Sequence, residues 1–190
     1  MVSERQWAEA LAAALQAPLA SRLGAGIHVT TEDLIRHTAA ITGHGPDHQP
    51  VLGRLDHEFT TDMLVWDDQP HDEGTGWLPR VVVEVKFFAV SAHDALAFMA
   101  KAERHRQLYP YLRTALVMPG MAAIPPRLPL LADRFDLMLA LPRLEWDDGL
   151  LAEVADALAA ETEASRALER LLTEKGKGRL RMVRRGLDLR

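Results

Sequence analysis

The chain has 190 residues, carries 22 Lys and Arg against 27 Asp and Glu for a formal net charge of −5, and contains no cysteine. A chain of that size suits one domain able to bury its own core. The lack of cysteine excludes a disulfide framework, thiolate metal sites and a cysteine nucleophile. The first residues, Met-Val-Ser-Glu-Arg-Gln-Trp, show no apolar signal-peptide core, and no apolar run approaches the length of a membrane span. A cytoplasmic protein without membrane contact is therefore expected. The net charge hides an asymmetry. Lys175, Lys177, Arg179, Arg181, Arg184, Arg185 and Arg190 against Asp188 give residues 175–190 a charge of +6, which leaves −11 on the other 174. An acidic body with a basic tail points to a polyanionic partner.

In chain order, Ser3 predicts the cap of a helix to about Gln16, with Trp7, Leu11 and Leu15 on one side and Pro18 as its breaker. Thr30 and Thr31 precede a second predicted helix, about 31–42, with Leu34, Ile35 and Ile41 as its apolar side and Gly43 as its stop. Residues 43–50, with two Gly and two Pro, read as a loop. Strands are expected over about 51–58, 60–66 and 80–88, with the polar segment 67–79 as a hairpin loop. Ser91 and Asp94 resemble a capping box opening a helix that Pro110 ends. Short strands at Thr114–Met118 and Phe135–Leu141 follow, and a leucine stripe marks an amphipathic helix over about 149–174. The expected organisation is an N-terminal helical extension (1–29), a core of mixed sheet and flanking helices (30–145), a C-terminal amphipathic helix (146–174) and the basic tail (175–190).

Glu84 and Lys86 sit inside the most apolar strand, Arg-Val-Val-Val-Glu-Val-Lys-Phe-Phe. Strand side chains alternate, so the two share a face with Val82 while Val81, Val83 and Val85 line the other. Charges in such a run are costly to bury unless paired or metal-bound. Asp62, on the preceding strand, joins them if the two strands pair. Two carboxylates suit a hard cation such as Mg²⁺, which prefers oxygen ligands. Such a cation neutralises a phosphodiester and acidifies a bound water. The lysine can act on that water, and the carbonyl of Val85 lies where it can complete the ligand shell.

Asp62-Met-Leu-Val, then Val83-Glu84-Val85-Lys86, then a helix, resembles the PD-(D/E)xK phosphodiesterase superfamily, whose fold is restriction-endonuclease-like with an αβββαβ core. Thr61 stands where that family commonly has proline, and the likeness covers about residues 30–118. The resemblance implies an Mg²⁺-dependent deoxyribonuclease, with Mn²⁺ as a substitute. It makes Asp62 and Glu84 metal ligands, Lys86 the catalytic lysine, and Glu32 the match for a glutamate that many members carry on the first core helix. It also implies a host-defence or restriction endonuclease, with a repair or recombination nuclease, or an inactive DNA-binding or assembly subunit, as alternatives. A homodimer, or a place in a larger defence complex, would suit cutting both strands.

Other residues carry weaker signals. Lys101 and Arg104 lie on one stripe of the helix after the lysine and are expected to touch phosphate, as is the tail by counterion release. Gln107 and Tyr111 match a spacing found in the exonuclease branch of the superfamily, but Pro110 between them should keep them apart. His37, His44, His48 and His57 fit no closed zinc motif.

Overall fold

The computed structural model describes residues 2–53, 57–71, 74–131 and 134–173. The basic tail lies outside them. The elements are α1 (Glu4–Leu23), β1 (Ile27–Thr30), β2 (Leu34–Arg36), β3 (Ala40–His44), β4 (Pro50–Gly53), β5 (Glu58–Thr60), β6 (Met63–His71), β7 (Gly74–Val85), α2 (Ala92–Leu108), β8 (Arg113–Pro119), α3 (Leu128–Leu131), β9 (Leu137–Leu141) and α4 (Asp148–Thr173). Five strands form a mixed sheet in the order β1-β6-β7-β8-β9. The β1–β6 and β6–β7 pairs are antiparallel, and β7–β8 and β8–β9 are parallel. The parallel β7–β8 pair requires a crossover, which α2 supplies. The architecture is the mixed α/β sheet with flanking helices that the sequence implies.

Alternation along β7 sorts the two faces as expected. Val81, Val83 and Val85, with Met63 and Val65 of β6, pack against Trp7, Leu11, Leu15 and Leu19 of α1 and Val154 and Leu158 of α4. Val82 and Leu64 meet Ile35 and Leu112 on the opposite face, where Leu116 and Met118 also meet Ala95 of α2. Full burial of each such leucine or valine stabilises by roughly 1.5–3 kcal/mol. Because α1 and α4 share one core with the sheet, the expected division near residue 30 is not a packing boundary.

Three local expectations are corrected. First, α1 does not stop near Gln16 but runs through Pro18 to Leu23. An interior proline costs a helix about 3 kcal/mol. Leu15 and Leu19, both fully buried around it, offset that cost. The Ser3 cap is present, with its hydroxyl accepting from the Gln6 amide at 3.2 Å. Second, no helix spans 31–42. Glu32 has φ +58°, and β2 and β3 take the segment into two ribbons, β2 with β5 and β3 with β4. The exposed–buried–exposed pattern of Leu34, Ile35 and Arg36 has the strand period of two, which the large apolar residues Leu34, Ile35 and Ile41 were too sparse to reveal. Third, the segment 67–79 is mostly ladder, with Asp67, Asp68 and Gln69 paired to Leu78, Trp77 and Gly76.

The third correction has an electrostatic cause. Val65 pairs with Val81 and Trp66 with Pro79, so Arg80 is the extra residue of a β-bulge. Its guanidinium reaches Asp67 at 2.6 Å and Glu169 of α4 at 2.8 Å, while Arg166 of α4 binds Asp67 at 2.5 Å. Burial by itself would raise the Asp67 carboxyl, but hydrogen bonds from Arg166 and Arg80 overcome it and hold the carboxyl below the usual range. A polar residue is thus accommodated inside the sheet, and α4 is tied across β6 and β7. Asp67→Asn leaves Arg80, whose side chain is 5% exposed, short of one carboxylate. It should cost about 3 kcal/mol in urea unfolding. Asp68→Asn, at an exposed position on the same strand, should cost under about 1 kcal/mol. Equal losses in the two variants would show that this network does not hold α4.

Candidate active site

Met63 pairs with Val83, and continuing that antiparallel register by one residue sets Asp62 opposite Glu84. The Asp62 Oδ2 accepts the amide of Val85 at 2.8 Å, which pins the carboxylate to the end of β7. Glu84 is 3% exposed, and its Oε1 lies 2.6 Å from the Nζ of Lys101. Lys101 reaches down from α2 and also donates to the carbonyl of Thr60, so it joins the end of β5 to the end of β7.

Lys86 follows the last residue of β7. Its amide donates to the Val117 carbonyl at 3.0 Å, which carries the parallel ladder one step further. Its ammonium stands between two helices, 3.7 Å from Glu4 Oε1 of α1 and 3.9 Å from Asp94 Oδ1 of α2. Glu4 Oε1 also accepts the amide of Phe87 at 2.9 Å. The first turns of α1 and α2 therefore meet at the mouth of the site, each bringing one acid to Lys86.

The electrostatics distinguish the two central carboxylates from ordinary surface acids. Burial pushes the Glu84 carboxyl up to about 7; the Lys101 ammonium opposes the rise, and the Asp62 charge adds to it. Asp62 is also raised, chiefly by burial, against the pull of the Val85 amide and Lys101. Asp94 is held low by its hydrogen bonds with Ser91, the cap of α2. Half-buried Asp62 disfavours the charge of buried Glu84, and a divalent cation between two such oxygen donors relieves that cost. Mg²⁺ keeps several waters, so one or two carboxylates suffice for it. The residues present therefore fit such an ion, provided Lys101 yields its hold on Glu84. Among the described residues, no group of three acidic or histidine side chains is placed to hold a metal.

Asp62 and Glu84 lie together at the ends of β6 and β7, Val85 contributes its amide to Asp62, and Lys86 follows at the strand end with its ammonium turned to Glu4 and Asp94. Glu32 is elsewhere: it stands on the bend before β2, not on a helix, and pairs with Arg5 at 2.7 Å. The acids that helices do bring to Lys86 are Glu4 and Asp94, and Glu4 was missed because α1 reads as an extension. Its signal was the Ser3 cap, which puts Glu4 in the first turn of a helix whose other face is core. Lys101 is engaged with Glu84 rather than free for phosphate, while Arg104 is exposed. Lys175, Lys177, Arg179, Arg181, Arg184 and Arg185 lie outside the described residues. Gln107 is exposed near the end of α2, whereas Tyr111 packs beneath the Arg80 guanidinium, so Pro110 separates them as expected. His37 stacks on Phe59 with ring centroids 3.9 Å apart.

The raised Glu84 carboxyl makes a pH prediction for the metal-free protein. A group whose pKa is higher folded than unfolded favours the fold below its unfolded value, and that advantage disappears as pH climbs through the folded value. For Glu84 the window runs from its ordinary 4.5 to about 7. Glu84→Gln carries no such dependence. Its melting temperature should gain on wild type by several degrees between pH 5 and pH 8 in EDTA, on the scale of roughly 2–4 °C per kcal/mol. A melting difference that stays constant with pH would show that Glu84 ionises without penalty. Compared with known proteins, the chain matches no family model, no curated protein and no solved structure.

Proposed function

We propose that this protein is a divalent-cation-dependent nuclease that hydrolyses DNA phosphodiester bonds. The observation that carries the reading is the place of Asp62, whose carboxylate holds the Val85 amide, next to buried Glu84 where β6 and β7 end, with Lys86 at the strand end beyond them. The order of elements supports it. The sequence α1, β1, β6, β7, α2, β8 has the αβββαβ order of the restriction-endonuclease-like core, with residues 31–62 as an insertion after its first strand. On this reading α1 is the first core helix, and Glu4 takes the place that the resemblance gives to Glu32.

Asp62 and Glu84 would hold the cation, Mg²⁺ or Mn²⁺. When bound, it supplies charge neutralisation at the phosphodiester and a more acidic water. Lys86 orients the attacking water and donates through Nζ to the charge that develops on the phosphate. Glu4 and Asp94 position that ammonium from either side, and neither approaches closely enough to remove it from the substrate. The Lys101–Glu84 pair favours one second reading, a nuclease-fold DNA-binding subunit in which a lysine permanently replaces the metal. A restriction or defence setting, or repair and recombination, would each use this chemistry. A homodimer would place two such sites on opposite strands.

Plasmid, linear and single-stranded DNA incubated with Mg²⁺, Mn²⁺ or EDTA separate the readings. Wild type should cut at least one substrate only with metal. Asp62→Ala and Lys86→Ala should fall at least about 100-fold, the scale of losing a positioned charge in a reaction centre. Cleavage undiminished in either variant would remove that residue from the site. No cleavage by wild type on any substrate, with DNA binding retained, would select the subunit reading. Removal of residues 175–190 should weaken DNA binding and flatten its salt dependence, by about 0.9 in log–log slope for each duplex phosphate that the tail neutralises. An unchanged slope would place the DNA-binding surface on the body of the protein.

A further inference from the structure

Two residues beyond Lys86, Phe88 is held in a left-handed backbone conformation with its ring edge-on to Phe87. Among the described residues three non-glycine residues have positive φ, and Phe88 at +59° is the apolar one. Left-handed backbone is strained for a bulky side chain and persists only where the surroundings over-determine it. Here they do. Three successive amides are fixed: Lys86 to the Val117 carbonyl at 3.0 Å, Phe87 to Glu4 Oε1 at 2.9 Å, and Phe88 to the Pro119 carbonyl at 3.1 Å. The ring lies against Gly120, itself at φ +78°, where a Cβ would come within 2.5 Å of Phe88 Cδ1. A glycine is therefore needed to seat this ring. All this order serves a side chain that remains 58% exposed. Phe87, beside it, takes the opposite course and packs edge-on to Trp7 in the core.

A rigid, strained and outward-facing aromatic ring suits a planar partner supplied by something else. We propose that Phe88 is a stacking contact for a nucleobase next to the scissile phosphodiester. The proposal rests on the nuclease reading and deepens it. Two residues of chain span at most about 7 Å, so the base belongs to a nucleotide at or adjoining the one at Lys86. A base buried in a duplex stack presents no free face. The substrate class is accordingly DNA with an unpaired base near the cut, whether a single strand, an end or a junction. Stacking is tolerant of base identity, since every base has a π-face, so Phe88 confers structure preference rather than sequence preference.

The test uses full-length Lys86→Ala protein with Mg²⁺, which should bind without cutting, and a short single-stranded oligonucleotide carrying 2-aminopurine at each position in turn. One position should be quenched on binding. Phe88→Leu keeps an apolar side chain against Gly120 but removes the ring. It should lose the quenching and bind about tenfold more weakly, within the range seen when one stacking aromatic is removed. Phe88→Tyr should retain both, and melting curves confirm that the variants fold. The advantage of single-stranded over blunt duplex DNA should shrink in Phe88→Leu. Quenching and affinity unchanged in a folded Phe88→Leu would overturn the stacking role while leaving the nuclease reading intact. Absence of binding to any DNA, together with no cleavage by wild type, would overturn both.

Discussion

The register of β6 against β7 decides where Asp62 and Glu84 stand relative to each other. Side chains on a strand alternate, so a slip of one residue would carry Asp62 away from Glu84 and onto the valine face packed by α1 and α4. Two features hold the register. Near the site, Met63 and Val65 face the same core as Val81 and Val83. Further along, the bulge at Arg80 absorbs one residue, so that Trp66 still meets Pro79 and Asp67 still meets the arginines. Without that extra residue, the outer half of the hairpin and its inner half could not both place their apolar side chains correctly.

The same hairpin carries two buried carboxylates that burial treats in opposite ways. Asp67 has two guanidinium partners, one of them in forked contact, and its charge is stabilised in place. Glu84 has a single ammonium partner and a second carboxylate opposite it, and its charge is disfavoured. Arginine, with its fixed fork of donors, suits a permanent structural bridge, whereas a lysine on a flexible stem can leave. The contrast separates a network that holds α4 onto the sheet from a pair that is expensive to keep and available for exchange. It also refines the opening charge count. Part of the acidity of the body is held against arginine in the core, while Glu4 and Asp94 flank Lys86 beside Asp62 and Glu84 at the strand ends.

Much of this was legible in the sequence because local rules suffice for it. The run Val81–Val85 announces a strand buried on both faces, and Glu84 within it announces a charge in need of a partner. Ser91 and Asp94 mark the start of α2, and the observed cap forms as the spacing requires. The leucine stripe of α4 corresponds to a single helix, Asp148–Thr173. The parts that were not legible depend on distant contacts. Ile27–Thr30 becomes an edge strand through its pairing with β6, and four residues carry too little pattern to show that in advance. Pro18 reads as a breaker until the buried leucines around it are counted.

The sequence by itself therefore determined the elements with strong periodicity and the identities of Asp62, Glu84 and Lys86. A charge in an apolar strand is conspicuous whatever the rest of the chain does. Tertiary structure alone decided which helix belongs to the site, and so that Glu4 rather than Glu32 stands beside Lys86. It alone showed that Lys101 is spent on Glu84. It alone showed that Phe88 is seated on Gly120 and left facing outward. Each of these is a contact between residues far apart in the chain or a backbone angle imposed by such contacts. Helix and strand periodicities report only on near neighbours and on which face is apolar, so they carry no information about which distant side chain comes to meet it.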